Sequence, residues 1–151
     1  MIEEKIKNEL KDALKAQDSQ TASTLRMAVS ALHNRSIEKR SQGKEEVLTE
    51  EEVLDVLIKE AKKRKESAEI YNQGGRGELA QKELDEYEII KKYLPEQLSE
   101  AELEKIVDDV LGKTDVKDIK EMGRLIGEIM KQVKGKADAK MVGEMLKRKL
   151  Q

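Results

Sequence analysis

The chain has 151 residues, of which 41% are charged and 37% hydrophobic, with one proline, one histidine and no cysteine, tryptophan or phenylalanine. That length suits one ordinary domain or two small helical ones, which argues against a single large catalytic core. The missing cysteine excludes disulfides and thiolate metal sites. The formal charge of -2 hides an asymmetry, because residues 122–151 hold eight Lys or Arg against three Asp or Glu, whereas residues 99–121 hold four against eight. The C-terminal part is therefore dipolar along the sequence, and its basic half suits phosphate.

Abundant Leu, Ile, Lys and Glu predict an all-α protein. The opening MIEEKIKNEL lacks both the apolar core of a signal peptide and the acid-poor character of a transit peptide. No apolar run approaches about 18 residues, so no membrane span is expected and a cytoplasmic location is. Ile2, Ile6, Leu10, Ala13 and Leu14 recur at helical spacing, and Gln17, Asp18 and Ser19 supply capping groups before a second pattern of Leu25, Ala28, Val29, Leu32 and Ser36. Gly43 marks a loop, after which Thr49 and Glu52 form a capping box for a third helix through Val53, Val56, Leu57 and Ala61. The glycine-rich NQGGRG, residues 72–77, ends it, and Leu79, Leu84, Tyr87, Ile90 and Leu94 carry a fourth helix that Pro95 closes.

PEQLS, residues 95–99, is the expected boundary between an N-terminal four-helix region, residues 1–95, and a small C-terminal three-helix bundle, residues 96–151. There Ser99 and Glu102 form a second capping box, opening a helix through Leu103, Ile106 and Val110 that Gly112 is expected to stop. Asp115 or Asp118 begins the sixth helix, which runs to about Lys134. Gly135 is its expected left-handed cap, and Asp138 caps the seventh.

Catalytic chemistry finds little support. His33 is the sole histidine and reads as ordinary helix surface or core edge; no Ser, His and Asp assemble into a triad, and no metal set, catalytic residue or cofactor is expected. TEEEVLDV reads as a solvated face. Gly74, Gly75 and Gly77 lack the strand and the Lys-Thr/Ser ending of a phosphate loop and read as a turn. Lys62, Lys63, Arg64 and Lys65, followed by Arg76, form a compact basic run that could meet phosphate, but Glu60, Glu66 and Glu69 at one-turn spacings offset it.

The sixth helix is more informative. At about 100° per residue, Ile119, Met122, Leu125, Ile126, Ile129, Met130 and Val133 share one arc, while Lys120, Arg124, Lys131 and Lys134 occupy a separate narrow one. Gly123 and Gly127 fall beside the basic stripe, where a missing side chain admits close approach by another helix or by a sugar-phosphate backbone. Lys136 and Lys140 flank the amides that start the seventh helix, a natural anion site, although Asp138 competes for those amides.

MGRLIGEIMKQVKGKADAKMVGEMLKRKL, residues 122–150, resembles the closing segment of the tail domain in the GatB component of the tRNA-dependent glutamyl/aspartyl amidotransferase. With LRMAVSALHNRSIEK and AKKRKESAEIYNQGGRGELAQKELDEYEIIKKYLPEQLSEAEL, the chain is similar to free-standing bacterial members of the GatB/YqeY family over nearly its full length. The resemblance implies a tail that grips tRNA. The parts of the amidotransferase that phosphorylate and amidate the misacylated residue have no counterpart here, so its association with a glutamine-using carbon-nitrogen ligase does not extend to catalysis.

The leading expectation is a non-catalytic adaptor whose C-terminal bundle binds tRNA, or a tRNA aminoacylation or amidation enzyme, through Lys120, Arg124, Lys131, Lys134, Lys136 and Lys140, with Gly123 and Gly127 allowing backbone approach. DNA and membranes are not expected partners. The tail has no aromatic residue to stack bases, so sequence-specific single-strand reading is not expected. The alternative is a helical protein-interaction module with no nucleic-acid role. A third reading, an independent enzyme, would gain from several carboxylates buried in one pocket.

Overall fold

A computed structural model of the chain describes residues 1–115, 118–133 and 135–150, with Ile119 described for its backbone alone. The protein is all-α. Its helices are α1 (Ile2–Lys15), α2 (Ser19–Ser41), α3 (Glu50–Gln73), α4 (Gly77–Lys91), α5 (Glu100–Lys113), α6 (Met122–Val133) and α7 (Ala139–Leu150), and a 3-10 turn (Ile119–Glu121) precedes α6. Two compact units are present, Met1–Leu94 with α1 to α4 and Pro95–Gln151 with α5 to α7.

In the first unit each helix buries one apolar stripe. Ile6 of α1, Leu25 and Leu32 of α2, Val53 and Leu57 of α3 and Ile90 of α4 are almost wholly withdrawn from solvent and share one core. Burying side chains of this size contributes about 1.5–3 kcal/mol each. The helix starts follow local chemistry: the Asp18 carboxylate accepts from the Thr21 amide (3.2 Å), and Thr49 and Glu52 exchange both bonds of a capping box. α1 ends less conventionally. Gln17 adopts a left-handed φ of 58°, allowing the Asp18 amide to reach the Ala13 carbonyl at 3.0 Å. α4 stops at Lys91, before Pro95, and turn bonds from Tyr93 and Leu94 (3.0 Å each) finish it.

The second unit closes around Leu103, Val107, Leu125, Ile129, Val133, Val142 and Leu146. Ser99 and Glu102 form the expected capping box. Gly112 does not stop α5, which continues to Lys113: one glycine inside a helix costs only about 1 kcal/mol relative to alanine, and the flanking turns outweigh it. The sixth helix begins later than Asp115 or Asp118 suggested, because Asp118 caps the 3-10 turn, its carboxylate accepting from the Lys120 amide (3.1 Å), before α6 proper starts at Met122. Gly135 has the left-handed φ of 74° expected of a helix cap. Sequence-distant residues brace this break, since the Leu98 amide donates to the Lys136 carbonyl (2.8 Å) and the Gln97 side chain to the Gly135 carbonyl (2.7 Å).

Candidate nucleic-acid interface

The buried arc of α6 is Leu125, Ile129 and Val133, with Met122, Ile126 and Met130 half-buried beside it. The other side of the helix faces solvent. Lys120 on the 3-10 turn and Arg124 and Lys131 on α6 are exposed, as are Lys136 in the braced turn and Lys140 in the first turn of α7. Lys134 lies outside the described residues. Lys120, Lys131, Lys136 and Lys140 have no ion pair among the described residues. Arg124 differs, since Glu121 and Glu128 approach it at 3.8 and 3.7 Å. At that range, with the arginine side chain 64% exposed, such pairs are weak and screened by salt.

Gly123 and Gly127 are exposed, and a Cβ built on either meets nothing within 4 Å among the described residues. Neither glycine therefore serves close packing against a neighbouring helix. Gly143 of α7 does, with the Ile126 Cδ1 methyl 3.6 Å from where its Cβ would stand. The two open glycines leave bare backbone beside the exposed lysines. The N-terminus of α7 is a poorer anion site than its lysines suggest, because Asp138 already accepts from the Lys140 amide (3.1 Å).

Two of the remaining tail cations, Arg148 and Lys149, are engaged elsewhere, while Lys147 is exposed near the end of α7. Lys149 Nζ lies 3.0 Å from Glu104 and 2.7 Å from Asp108, and Arg148 lies 3.4 Å from Glu100. The Asp108 and Glu104 carboxylates hold the Lys149 ammonium above its usual pKa. The acidic stretch that precedes the basic tail thus folds back on it and occupies Arg148 and Lys149.

The basic run of α3 forms no such stripe. Arg64 is 3% exposed, its guanidinium 3.0 Å from Glu60 and 3.4 Å from Glu86 of α4. Lys63 also pairs with Glu60 (3.1 Å), and Lys65 stands 5.1 Å from the centre of the Tyr87 ring. Local spacing singled out Glu60, but not Glu86. The carboxylates gathered here flank a guanidinium, and Glu86 alone of them also lines a cavity of about 310 Å³ with Ser19, Gln20, Ser23 and Lys82. His33 is exposed on α2, and no group of three or more His, Asp or Glu that could hold a metal occurs among the described residues. No described helix is long and apolar enough to cross a membrane.

Together these features define an all-helical protein whose C-terminal unit exposes Lys120, Lys131, Lys136 and Lys140, without ion pairs among the described residues, and two helix glycines with open Cβ positions. The chain belongs to the YqeY-like family, whose model, described as Yqey-like protein, matches residues 3–150. It is 34% identical over 94 residues to an uncharacterized Schizosaccharomyces pombe protein, covering 62% of this chain and 72% of that one. It is also 35% identical over 108 residues to Altered inheritance of mitochondria protein 41, mitochondrial, of Lachancea thermotolerans, covering 70% of this chain and 56% of the relative. The protein of the same name from Clavispora lusitaniae is 33% identical over 128 residues, 85% of this chain and 71% of its own length.

Proposed function

We propose that this protein is a non-catalytic tRNA-binding adaptor, related through its C-terminal unit to the tRNA-dependent amidotransferases, which grips the RNA backbone by charge and shape. The observation that carries this reading is the set of exposed Lys120, Lys131, Lys136 and Lys140, unpaired among the described residues, together with Gly123 and Gly127, whose Cβ positions are open. Lysines without internal carboxylate partners can neutralise phosphates with no ion pair to break. Bare helix backbone admits a sugar-phosphate strand more closely than side chains would. Arg124 belongs to the same surface and exchanges the carboxylates of Glu121 and Glu128 for phosphate. On this reading Lys134 adds a further cation of the sequence to the contact, and the protein acts in the cytoplasm, where it meets aminoacylated tRNA or an enzyme that handles it.

Fluorescence anisotropy with unfractionated tRNA across a salt series tests the proposal. Backbone binding predicts an affinity that falls steeply and log-linearly with salt. No binding at low salt, or an affinity indifferent to salt, rejects it.

A further inference from the structure

The first unit carries a surface of opposite chemistry. Between the start of α1, the C-terminal part of α2 and the loop leading into α3 lies a cleft of about 400 Å³. Leu48 and Val53 contribute its apolar floor, and both belong to the core of the unit. Val47 stands on its rim with 74% of its surface exposed. Polar bonds fix this loop: Ser36 Oγ donates to the Glu46 carbonyl, and Lys39 Nζ donates to the Val47 carbonyl at 2.7 Å while pairing with Glu52 at 2.8 Å. With Leu48 buried next door, these bonds hold Val47 in place as an exposed apolar side chain on a fixed backbone.

The charges around the cleft are unbalanced. Glu3, Glu4, Glu46 and Glu50 line it against two cations, the Met1 α-ammonium and Lys7, and Lys7 is paired with Glu3 at 2.7 Å. Arg40 approaches Glu46 only at 3.8 Å, and Glu50 accepts from the Ile2 amide at 3.2 Å. The four carboxylates come from α1, the loop and α3, so the fold gathers them around an apolar patch.

We infer that this cleft docks a basic segment of a partner protein, which lays an apolar side chain against Val47 and the floor at Leu48 and sets Lys or Arg against Glu3, Glu4, Glu46 and Glu50. Charge complementarity selects this occupant. Nucleic acid and anionic lipid are repelled, and a neutral apolar segment would leave the carboxylates partly desolvated without a counter-charge. The size of the cleft suits a transient peptide contact rather than an obligate interface. The inference stands apart from the tRNA reading, because its residues all lie in the first unit and the lysine stripe lies in the second.

The experiment follows the amide chemical shifts of the full chain during titration with a peptide of about a dozen residues, combining Lys, Arg and two leucines, a length that can fill such a groove. The expected result is saturable shifts at Glu3, Glu4, Ser36 and residues 46–50, with affinity reduced by about fivefold or more in Val47→Ser through loss of apolar contact. Glu4→Gln with Glu46→Gln is expected to weaken binding and flatten its salt dependence. All three changes are at exposed positions, so the variants remain folded. Shifts confined to other surfaces overturn the inference, as does equal binding by a peptide with serine in place of leucine. Dilution-dependent shifts of the same amides in the free chain overturn it too, by making a second copy the occupant.

Discussion

Arg64 on α3 and Glu86 on α4 face each other in the interior of the first unit, Nε to Oε2 at 3.4 Å, with only 3% and 8% of the residues exposed. Glu60, one turn earlier on α3, holds the other side of the guanidinium at 3.0 Å, while Arg64 Nε itself makes no hydrogen bond. A buried ion pair set in this way repays its desolvation only while all its members are present. Arg64→Ala is expected to destabilise the protein by about 3–5 kcal/mol, because it leaves the buried Glu86 carboxylate with no counter-charge and Glu60 with Lys63 alone. Combining Arg64→Met with Glu60→Gln and Glu86→Gln should recover much of that loss. Urea unfolding of the two variants checks this, and equal destabilisation by both would show that packing volume rather than charge governs the site.

The start of α3 gives the first unit a dependence on acid. Lys39 and the Thr49 amide both bond the Glu52 carboxylate, at 2.8 Å each, and lower its pKa to about 2, the lysine bond being the larger cause. A carboxyl lowered on folding contributes stability that is fully present above its unfolded pKa and disappears as pH falls through the folded value. The window here runs from about 4.5 down to about 2. Glu52→Gln should therefore be less stable than the parent at neutral pH, and the difference should shrink through that window. A difference that stays constant between neutral pH and pH about 2 would contradict the assignment.

Features fixed within one or two turns of chain were legible in the sequence. The two capping boxes, the cap at Asp18 and the buried arc of Leu125, Ile129 and Val133 each follow from local spacing, and the structure contains all of them. What sequence spacing could not reach is pairing between helices. Arg64 reads as one cation in the run Lys62–Lys65, but its second partner stands on the next helix. Arg148 and Lys149 count among the eight basic residues of the tail, yet meet Glu100, Glu104 and Asp108. Glycine signals divided by backbone geometry: Gly135 takes positive φ and marks a helix end, whereas Gly112 lies inside α5. Gln17, read only as one of three polar capping residues, takes positive φ, held there by the bonds that finish α1.

The open glycines of α6 separate stability from binding. Gly123→Ala and Gly127→Ala add methyl groups that meet nothing within 4 Å among the described residues. Gly127→Ala should stabilise the protein by about 0.5–1 kcal/mol, since glycine disfavours a helix interior relative to alanine, and Gly123→Ala, at the second position of α6, by less. If backbone approach matters for RNA, the same variants should bind tRNA more weakly despite their higher stability. Paired measurement of unfolding midpoint and tRNA affinity decides it, and unchanged affinity would remove the two glycines from the interface while leaving the lysines in it.

The distribution of paired and unpaired cations predicts which charges matter to RNA. Replacing Lys131, Lys136 or Lys140 by Gln should weaken tRNA binding and lower the slope of log affinity against log salt by about one unit each, with little change in stability. Lys149→Gln should do the reverse, loosening α7 from Glu104 and Asp108 while scarcely altering the slope. Arg124 sits between these cases, and Glu121→Gln with Glu128→Gln should strengthen tRNA binding by releasing Arg124 and removing two like charges from the face that phosphate approaches. Equal slopes in Lys131→Gln and Lys149→Gln would mean that the RNA reads net charge alone, so that the partition of the tail between α5 and solvent has no bearing on recognition.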